Sequence, residues 1–353
     1  MSLIVDIEKR LGAFSLKVAF EAENEVMALL GASGSGKSMT LKCIAGVEKP
    51  DRGHIELGGV TLFDSEKHID LPPQKRRVGL MFQNYALFPN MTVRQNILAG
   101  AHGEPDRARR AKKAAELMER FGLTEHENHY PAQLSGGQQQ RTALARMLAS
   151  EPELMLLDEP FSALDSHLRF RLEREMEPVM RDFAKPVLLV SHDRDEVFRL
   201  AGRIAIVENG RIEAMGPKHD IFRDPHTVAG ARLTGCKFIS RAEVRGAREL
   251  YAADWALPLR LDRAVAGCTA VGMRMHSVRY GEGENTVRCE VAGVIENPFD
   301  YTILLRPVGS PQAVPFGWTA EKDEWRALEN KQELTVHMPM ASLLLLRGEE
   351  DGR

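Results

Sequence analysis

The segment from Gly31 to Ser38 brings three glycines, a lysine and a serine together in one short stretch. It fills every required position of the pattern G-x-x-x-x-G-K-[ST]. Its glycines allow successive backbone N–H groups to point at one anion, and a helix that follows would add its positive N-terminal end. Lys37 can then reach the β- and γ-phosphates as a point charge, and the Ser38 hydroxyl can ligate Mg²⁺. These residues predict that the chain binds a nucleoside triphosphate.

The residues on either side have the character that such a loop requires. Glu25–Leu30 ends in an apolar run typical of a buried strand, and Lys37–Ala45 is predicted as a helix closed by Gly46. A glycine-rich turn that merely precedes a helix is the alternative. Because the lysine and the serine occupy the required positions of the pattern, and the pattern follows a predicted strand, we favour the phosphate-binding interpretation.

Two adjacent carboxylates follow another apolar strand. Leu154–Leu157 is continuously apolar and leads directly into Asp158 and Glu159. Beside a phosphate loop, Asp158 can hold Mg²⁺ through water, and Glu159 can accept a proton from an attacking water. Two acids at a strand end are common by chance, but together with the phosphate loop they indicate nucleotide hydrolysis.

A second segment could also bind an anion. Leu134–Gln138 has the sequence Leu-Ser-Gly-Gly-Gln and precedes a predicted helix, Gln138–Ala149, so Ser135 and the two glycines would form another helix N-terminus open to an anion. One nucleotide does not require two such sites in one subunit. We therefore predict that this segment of one copy caps the γ-phosphate held by Gly31–Ser38 of another. The alternative is a serine N-cap followed by a flexible glycine turn.

Length and composition bound the class of protein. At 353 residues, with 43% hydrophobic and 27% charged residues, two or three soluble domains are expected. The net charge of -3 and a basic cluster at 109–113 without interleaved aromatics argue against nucleic-acid binding. The four scattered cysteines predict neither disulfides nor a zinc site, and they favour a reducing compartment. We expect no signal peptide and no membrane span, so a membrane channel would belong to another chain.

The order of the predicted elements divides the chain. Glu153–Leu157 and Pro186–Val190 predict buried parallel strands, and residues from Thr92 to about Ser150 have helical spacing. After about residue 232 short alternating segments take over, and they predict a small all-β barrel or sandwich. The segments predicted as strands there are Val271–Met275, Val287–Ile295, Tyr301–Pro307, Leu334–Met338 and Leu343–Leu346.

Over about its first 230 residues the sequence resembles the ATP-binding cassette (ABC) family. The landmarks of that family occur in order, namely the phosphate loop, Gln83 of the Q-loop, the signature segment Leu134–Gln138, the acidic pair Asp158-Glu159, the D-loop Ser162–Asp165 and the switch residue His192. The resemblance implies an α/β fold, with a mixed sheet and a helical subdomain at about 84–150 in an ATPase domain of residues 1–232. A β-rich regulatory domain would cover residues 233–353.

The resemblance also implies residue roles. Gln83 would sense Mg²⁺ and water, Asp165 would contact the partner subunit, and His192 would hold the γ-phosphate and polarise the base Glu159. Mg²⁺ would be held by Ser38, Gln83 and Asp158. ATP would contact Phe14, Gly31, Ala32, Ser33, Gly34, Ser35, Gly36, Lys37, Ser38 and Met39, and Leu134, Ser135, Gly136, Gly137 and Gln138 would contact the ATP of the partner subunit.

One landmark departs from the family pattern. Many members stack adenine on a tyrosine before the phosphate loop, but only Phe14 or Phe20 is available here. We choose Phe14, because we expect it at the hairpin turn rather than on a strand face. A role in the core is the alternative for this residue.

The partners are implied by the same resemblance. ATP would join two ATPase subunits head to tail as a homodimer at the cytoplasmic face of the cell membrane, with two permease subunits crossing the bilayer. Asn84–Asn96 resembles the surface on which a permease helix docks in importers, although ordinary loop packing is the alternative. A periplasmic or extracellular solute-binding protein would take part indirectly, and no nucleic acid is expected.

The solute is predicted from the tail and from two short stretches. The tail resembles the regulatory domains of importer ATPases for molybdate, sulfate, sugars and iron. Glu8–Phe14 and Leu233–Lys237 resemble the molybdate/tungstate subset most, so we predict molybdate or tungstate, and an oxyanion bound by the tail that slows hydrolysis. A passive dimerisation tail, a sulfate, sugar, iron or spermidine importer, a soluble non-transport ABC ATPase and a P-loop kinase are the alternatives.

Overall fold

The computed structural model describes residues 1–162 and 166–348. The chain forms two compact units, Met1–Lys218 and His219–Arg353. The division lies earlier than the boundary expected at 232/233, because residues before that boundary pack with the end of the chain. Ala231, for example, shares an apolar cluster with Leu344 and Leu346. The domain roles assigned from the sequence remain a prediction.

The first unit is built on one sheet of eleven strands with helices around it. Its strands are β1 Leu3–Leu11, β2 Phe14–Ala22, β3 Val26–Leu30, β4 Arg52–Leu57, β5 Val60–Asp64, β6 Ile69–Asp70, β7 Val78–Met81, β8 Leu154–Asp158, β9 Val187–Ser191, β10 Arg203–Glu208 and β11 Arg211–Pro217. Its helices are α1 Lys37–Ala45, α2 Val93–Gly100, α3 Arg107–Arg120, α4 Gly136–Ala149, α5 Ser166–Asp182 and α6 Arg194–Leu200.

The sheet is mixed, as the sequence predicts. Its order is β6-β5-β4-β1-β2-β11-β10-β3-β9-β8-β7. The strands from β10 to β7 run parallel. In contrast, β1 pairs antiparallel with β2 and with β4, and β4 pairs antiparallel with β5. Every residue of β8 and β9 is buried, since helices cover both faces of a parallel sheet. Parallel strands end at the same edge, so the residues that follow β3, β8 and β9 lie side by side.

The helical region of residues 93–149 is fixed by caps at its helix starts. Thr92 and Gln95 form a capping box on α2, Asp106 accepts from two N–H groups of α3, and Ser135 and Gln138 form a second capping box on α4. The helix predicted over Gln138–Ala149 therefore begins two residues earlier, where Ser135 ends the extended chain.

The second unit is β-rich and barrel-like, as expected. After α7 Lys218–Arg223, which spans the division, and α8 Val228–Leu233, it contains β12 Phe238–Gly246, β13 Glu249–Ala252, β14 Leu257–Arg260, β15 Ala270–Met273, β16 Arg279–Tyr280, β17 Val287–Glu296, β18 Asp300–Pro307, β19 Phe316–Glu321, α9 Lys322–Arg326, β20 Glu333–His337 and β21 Leu344–Leu346. Two five-stranded sheets, β14-β13-β12-β15-β21 and β16-β20-β17-β18-β19, enclose a core that includes Trp255, Trp318 and Trp325.

Two further observations concern the whole described chain. The four cysteines are free and buried. Within residues 1–162 and 166–348, no helix has the length and apolar character that a bilayer crossing requires.

Candidate functional site

The phosphate loop lies between β3 and α1. Gly36 is the residue before α1 and has φ +102°, in the region that favours glycine, and Gly34 has φ +80°. Gly31 is held against β10, because a Cβ there would lie 2.2 Å from the Val207 carbonyl oxygen. The loop is therefore a rigid turn that leads into a helix N-terminus, which is the arrangement that binds phosphate.

Lys37 places its charge inside this loop. Its ammonium donates to the carbonyl oxygens of Gly31 and Ala32, at 2.8 Å each, and the side chain is buried. Burial lowers the pKa of the ammonium, while the nearby charges of Glu159 and Asp158 act in the opposite direction. The charge of Lys37 therefore lies at the main chain of the loop that is predicted to hold phosphate.

Asp158 and Ser38 come together across the sheet edge. Asp158 is the last residue of β8, and its Oδ1 accepts from the Ser38 hydroxyl at 2.7 Å. Burial raises the pKa of Asp158, and the charge of Glu159 adds to this, while the Ser38 hydroxyl opposes it. A hydroxyl and a carboxylate oxygen side by side are the hard oxygen donors that Mg²⁺ takes.

Glu159 and His192 form the next pair. Glu159 has φ +45°, which is unusual for a residue with a side chain, and its N–H donates to the Val190 carbonyl at 3.0 Å. The structure brings its Oε2 within 3.2 Å of Nδ1 of His192, the residue that follows β9. Strained backbone of this kind is concentrated at functional sites, so the conformation of Glu159 is a second indication of its importance.

Gln83 reaches the same edge through Ser162, the first residue of the predicted D-loop, for which the sequence analysis gave no contact. Its Nε2 donates to Ser162 Oγ at 3.1 Å, and that hydroxyl donates to the Glu159 carbonyl at 3.0 Å. Gln83 is thus tied to the turn that carries Glu159. The predicted D-loop contact, Asp165, lies outside the described residues.

The signature segment Leu134–Gln138 stands apart from these groups. Ser135 is exposed at the start of α4, whereas Gly137 is buried against Leu172 of α5. Among the hydrogen bonds and ion pairs of residues 1–162 and 166–348, none joins this segment to Gly31–Ser38. The Gln138 side chain is instead hydrogen-bonded to His126. The sequence analysis did not identify His126, because it belongs to no recognised motif.

Phe14 borders the hairpin turn, as expected, but it lies on a strand rather than off one. Phe14 is the first residue of β2 and pairs with Leu11, because the antiparallel ladder continues to the edge of the turn at Gly12. Its ring lies at the end of the phosphate loop, where a Cβ on Gly36 would be 3.0 Å from the Phe14 Cζ. The suggestion that this ring stacks on adenine stays a prediction.

A phosphate loop after the parallel strand β3, with a histidine after the adjacent strand β9 and an Asp-Glu pair after the next strand β8, defines a P-loop ATPase. Comparison with known proteins gives the family: the model described as ABC transporter matches residues 15–162. The chain is 36% identical to the sulfate/thiosulfate import ATP-binding protein CysA 2 of Chromobacterium violaceum, over 97% of this chain and 94% of that protein. The chain therefore belongs to the ABC transporter family, as an ATPase subunit of the importer type.

Two further proteins are similar to parts of the chain. The molybdate/tungstate import ATP-binding protein WtpC of Archaeoglobus fulgidus is 42% identical over 63% of this chain and 90% of its own length. A solved dimeric structure of the ATP-binding cassette MJ0796, in a post-hydrolysis state bound to ADP and Pi, matches with a TM-score of 0.53 and 29% identity, over 62% of this chain and 99% of that one.

Proposed function

We propose that this ATPase drives the import of a tetrahedral divalent oxyanion, with sulfate or thiosulfate as the first candidate. The observation that carries the proposal is the length of the similarity to the sulfate/thiosulfate protein, which extends over 97% of this chain and so includes the β-rich second unit. The molybdate/tungstate relative is similar over 63% of the chain. Molybdate, the solute predicted from the sequence, remains the second candidate, because it has the same charge and shape as sulfate.

We propose further that hydrolysis takes place in a head-to-tail homodimer. The loop Gly31–Ser38 of one copy would hold the phosphates, and Ser135–Gln138 of the second copy would cap the γ-phosphate. The exposure of Ser135, the lack of a hydrogen bond between the two segments within the described chain, and the similarity to a cassette solved as a dimer support this arrangement. Asp165 would contact the partner beside the same site.

Within that site the N–H groups of the loop and the Lys37 ammonium bind and orient the β- and γ-phosphates. Ser38 and Asp158, whose oxygens are 2.7 Å apart, fit a magnesium ion, with Gln83 as a further oxygen donor. When bound, Mg²⁺ neutralises charge on the phosphates. Ring contact with the base would come from Phe14.

Glu159 accepts the proton of the attacking water in this proposal. His192, 3.2 Å from its Oε2, holds the carboxylate in place and contacts the γ-phosphate. General-base help contributes about 10²–10⁴-fold. Glu159→Gln should therefore lower the turnover of ATP by about that factor while ATP binding and ATP-driven dimerisation persist. Phosphate release and size-exclusion chromatography measure the two properties, and Glu23→Gln, at an exposed carboxylate, is the matched control. Turnover at the wild-type rate would show that Glu159 is not the base.

The remaining partners are proposed from the same family membership. Two permease subunits would dock on Asn84–Asn96, where Phe88 and Met91 are exposed, and would hold the ATPase at the cytoplasmic face of the membrane. A solute-binding protein would deliver the oxyanion, no nucleic acid would take part, and the β-rich unit would bind oxyanion and slow hydrolysis.

The solute is tested on the reconstituted complex. The ATPase, its permease and its binding protein are placed in liposomes, and ATP hydrolysis is measured with sulfate, thiosulfate, molybdate, tungstate or maltose added. Stimulation by sulfate or thiosulfate alone supports the first candidate. Stimulation by molybdate or tungstate alone supports the second, and stimulation by maltose alone contradicts the oxyanion proposal.

A further inference from the structure

Gln138 holds the N-terminus of α4 through both its main chain and its side chain. Its N–H donates to Ser135 Oγ at 3.3 Å, and its Oε1 accepts from the Ser135 N–H at 2.8 Å. Since only the oxygen of an amide accepts, the second bond determines which end of the amide faces Ser135. The NH₂ group of Gln138 therefore lies on the side away from the cap.

That NH₂ group contacts a histidine. Nε2 of Gln138 is 2.8 Å from Nε2 of His126. Because the NH₂ group only donates, the His126 Nε2 must accept, and the proton of His126 must lie on Nδ1. Nδ1 of His126 is 3.1 Å from Nδ1 of His129, which accepts in turn. One directional chain of hydrogen bonds thus runs from Gln138 to His129.

The main chain around His129 is bound to α2. The first N–H groups of a helix have no partner within the helix. Here the Val93 N–H donates to the His129 carbonyl at 2.9 Å, and the Arg94 N–H donates to the Glu127 carbonyl at 3.0 Å. The Arg94 and Glu127 side chains pair with each other at 3.7 Å. His126 consequently lies between the main chain bound to the first turn of α2 and the amide of Gln138.

We propose that His126 is a positioning residue for ATP hydrolysis, which fixes the Gln138 amide and thereby the cap at Ser135. Ser135 Oγ then accepts from the Gln138 N–H, so the hydroxyl proton of Ser135 stays free to donate to a phosphate oxygen of the partner's nucleotide. This inference rests on the proposed function, in which the signature segment contacts the γ-phosphate. His126 itself touches no nucleotide in that arrangement, so it acts only through Gln138.

The test compares His126→Leu with His126→Gln in the full-length protein. The glutamine Oε1 lies as many bonds from Cβ as the histidine Nε2 does, so it can accept the same hydrogen bond, whereas leucine cannot. His102→Leu, at an exposed histidine, is the control. Thermal unfolding establishes that each variant is folded. Hydrogen exchange of the peptide that contains Ser135 is then measured without ATP, and kcat and nucleotide affinity are measured with Mg-ATP.

We expect faster exchange at Ser135 in His126→Leu and a kcat about three- to tenfold lower, the range for one lost hydrogen bond. The nucleotide affinity of the free subunit should stay within about twofold, and His126→Gln should recover exchange and kcat to within about twofold. Unchanged exchange in the leucine variant overturns the proposal, as does faster exchange with an unchanged kcat. A loss of kcat that glutamine does not recover also overturns it.

Failure of the proposed function would be recognised separately. The exchange measurement uses no nucleotide, so it reports on the hydrogen-bond chain whether or not the protein hydrolyses ATP. Wild-type protein that neither hydrolyses ATP nor dimerises with it would contradict the proposed function and, with it, the role of His126 in hydrolysis.

Discussion

Replacing Glu196 by glutamine should remove a pH-dependent part of the free energy of unfolding of the first unit. Glu196 lies in α6, is 3% exposed, and its Oε1 has no hydrogen-bond partner among the described residues. Burial raises the pKa of this carboxyl to about 8, and the charges of Glu173 and Asp193 add to the effect, while the Ser191 hydroxyl and Arg169 oppose it. The folded protein therefore holds a proton on Glu196 that the unfolded chain releases.

The sign and the size follow from this difference. An unfolded glutamate has a pKa of about 4.3. The stabilisation from the bound proton is complete below that value and is lost as the pH rises toward about 8. In this range the loss is about 1.4 kcal/mol per pH unit, so it is on the order of 3 kcal/mol between about pH 5.5 and 7.5. Because glutamine does not titrate, the stability of Glu196→Gln relative to wild type should grow by about that amount over the same range.

The distribution of tryptophan makes the assay specific. The three tryptophans, Trp255, Trp318 and Trp325, lie in the second unit, whereas α1 to α5 lie in the first. Urea unfolding followed by circular dichroism at the helix band reports on the first unit, and tryptophan fluorescence in the same sample serves as an internal reference. Asp195→Asn removes an exposed carboxylate from the same helix and is the control. Equal pH dependence in wild type and Glu196→Gln would refute the reasoning.

Three further substitutions test other parts of the first unit. Arg76→Met should lower the free energy of unfolding by about 3 kcal/mol, because the buried guanidinium donates to two carbonyls at the end of α1. Arg77→Met, at an exposed side chain, is the control and should lower it by less than about 1 kcal/mol. Urea unfolding measures both changes. Gly31→Ala should abolish Mg-ATP binding in a fluorescent-nucleotide titration, since the new Cβ would lie 2.2 Å from the Val207 carbonyl oxygen. Phe14→Ala should raise the KM for ATP by about tenfold and leave kcat within about twofold, and an unchanged KM would show that adenine binds elsewhere.

The elements that carry the phosphate loop are predictable because their signals are local. The predicted helix Lys37–Ala45 matches α1 at both ends, and Gly46 ends it with φ +77°, as a glycine cap does. The buried parallel strands are also recognised, since every side chain of β8 and β9 faces the interior and the apolar runs are unbroken. Composition and short residue patterns are sufficient to predict a helix or strand when its own residues determine where it ends and which side chains are buried.

In the second unit the sequence did not predict the strands β12, β13, β14, β16 and β19. In β12 charged residues such as Arg241, Glu243 and Arg245 alternate with others, and Ser240 is the one fully buried position. In β19 Gly317 interrupts the apolar pattern, and a Cβ there would lie 2.4 Å from Cε2 of the Phe238 ring. Such strands exist through pairing with distant neighbours rather than through their own propensity.

Among the site residues, too, local patterns are predictable and contacts between distant residues are not. Motif spacing predicts which groups meet at the edge formed by β3, β8 and β9, because parallel strands end together. Hydrogen bonds between loops are not predicted in this way. Ser162 bridges Gln83 and the Glu159 carbonyl, and His126 is bonded to Gln138. These contacts depend on side-chain geometry, which the spacing of residues in the sequence does not reveal.

In the proposed dimer the two anion-binding helix ends are held by different parts of the chain. The N-terminus of α1 follows β3, a strand of the sheet, through the turn at Gly36. The N-terminus of α4 is connected through Gln138, His126 and the main chain of residues 127–129 to the first turn of α2, which lies within the segment proposed to meet the permease. A small rotation of α2 would therefore reorient the Ser135 cap without disturbing the phosphate loop. Part of the dependence of hydrolysis on the permease would then pass through the cap, so His126→Leu should weaken stimulation by the permease in the reconstituted complex more than it weakens ATP binding.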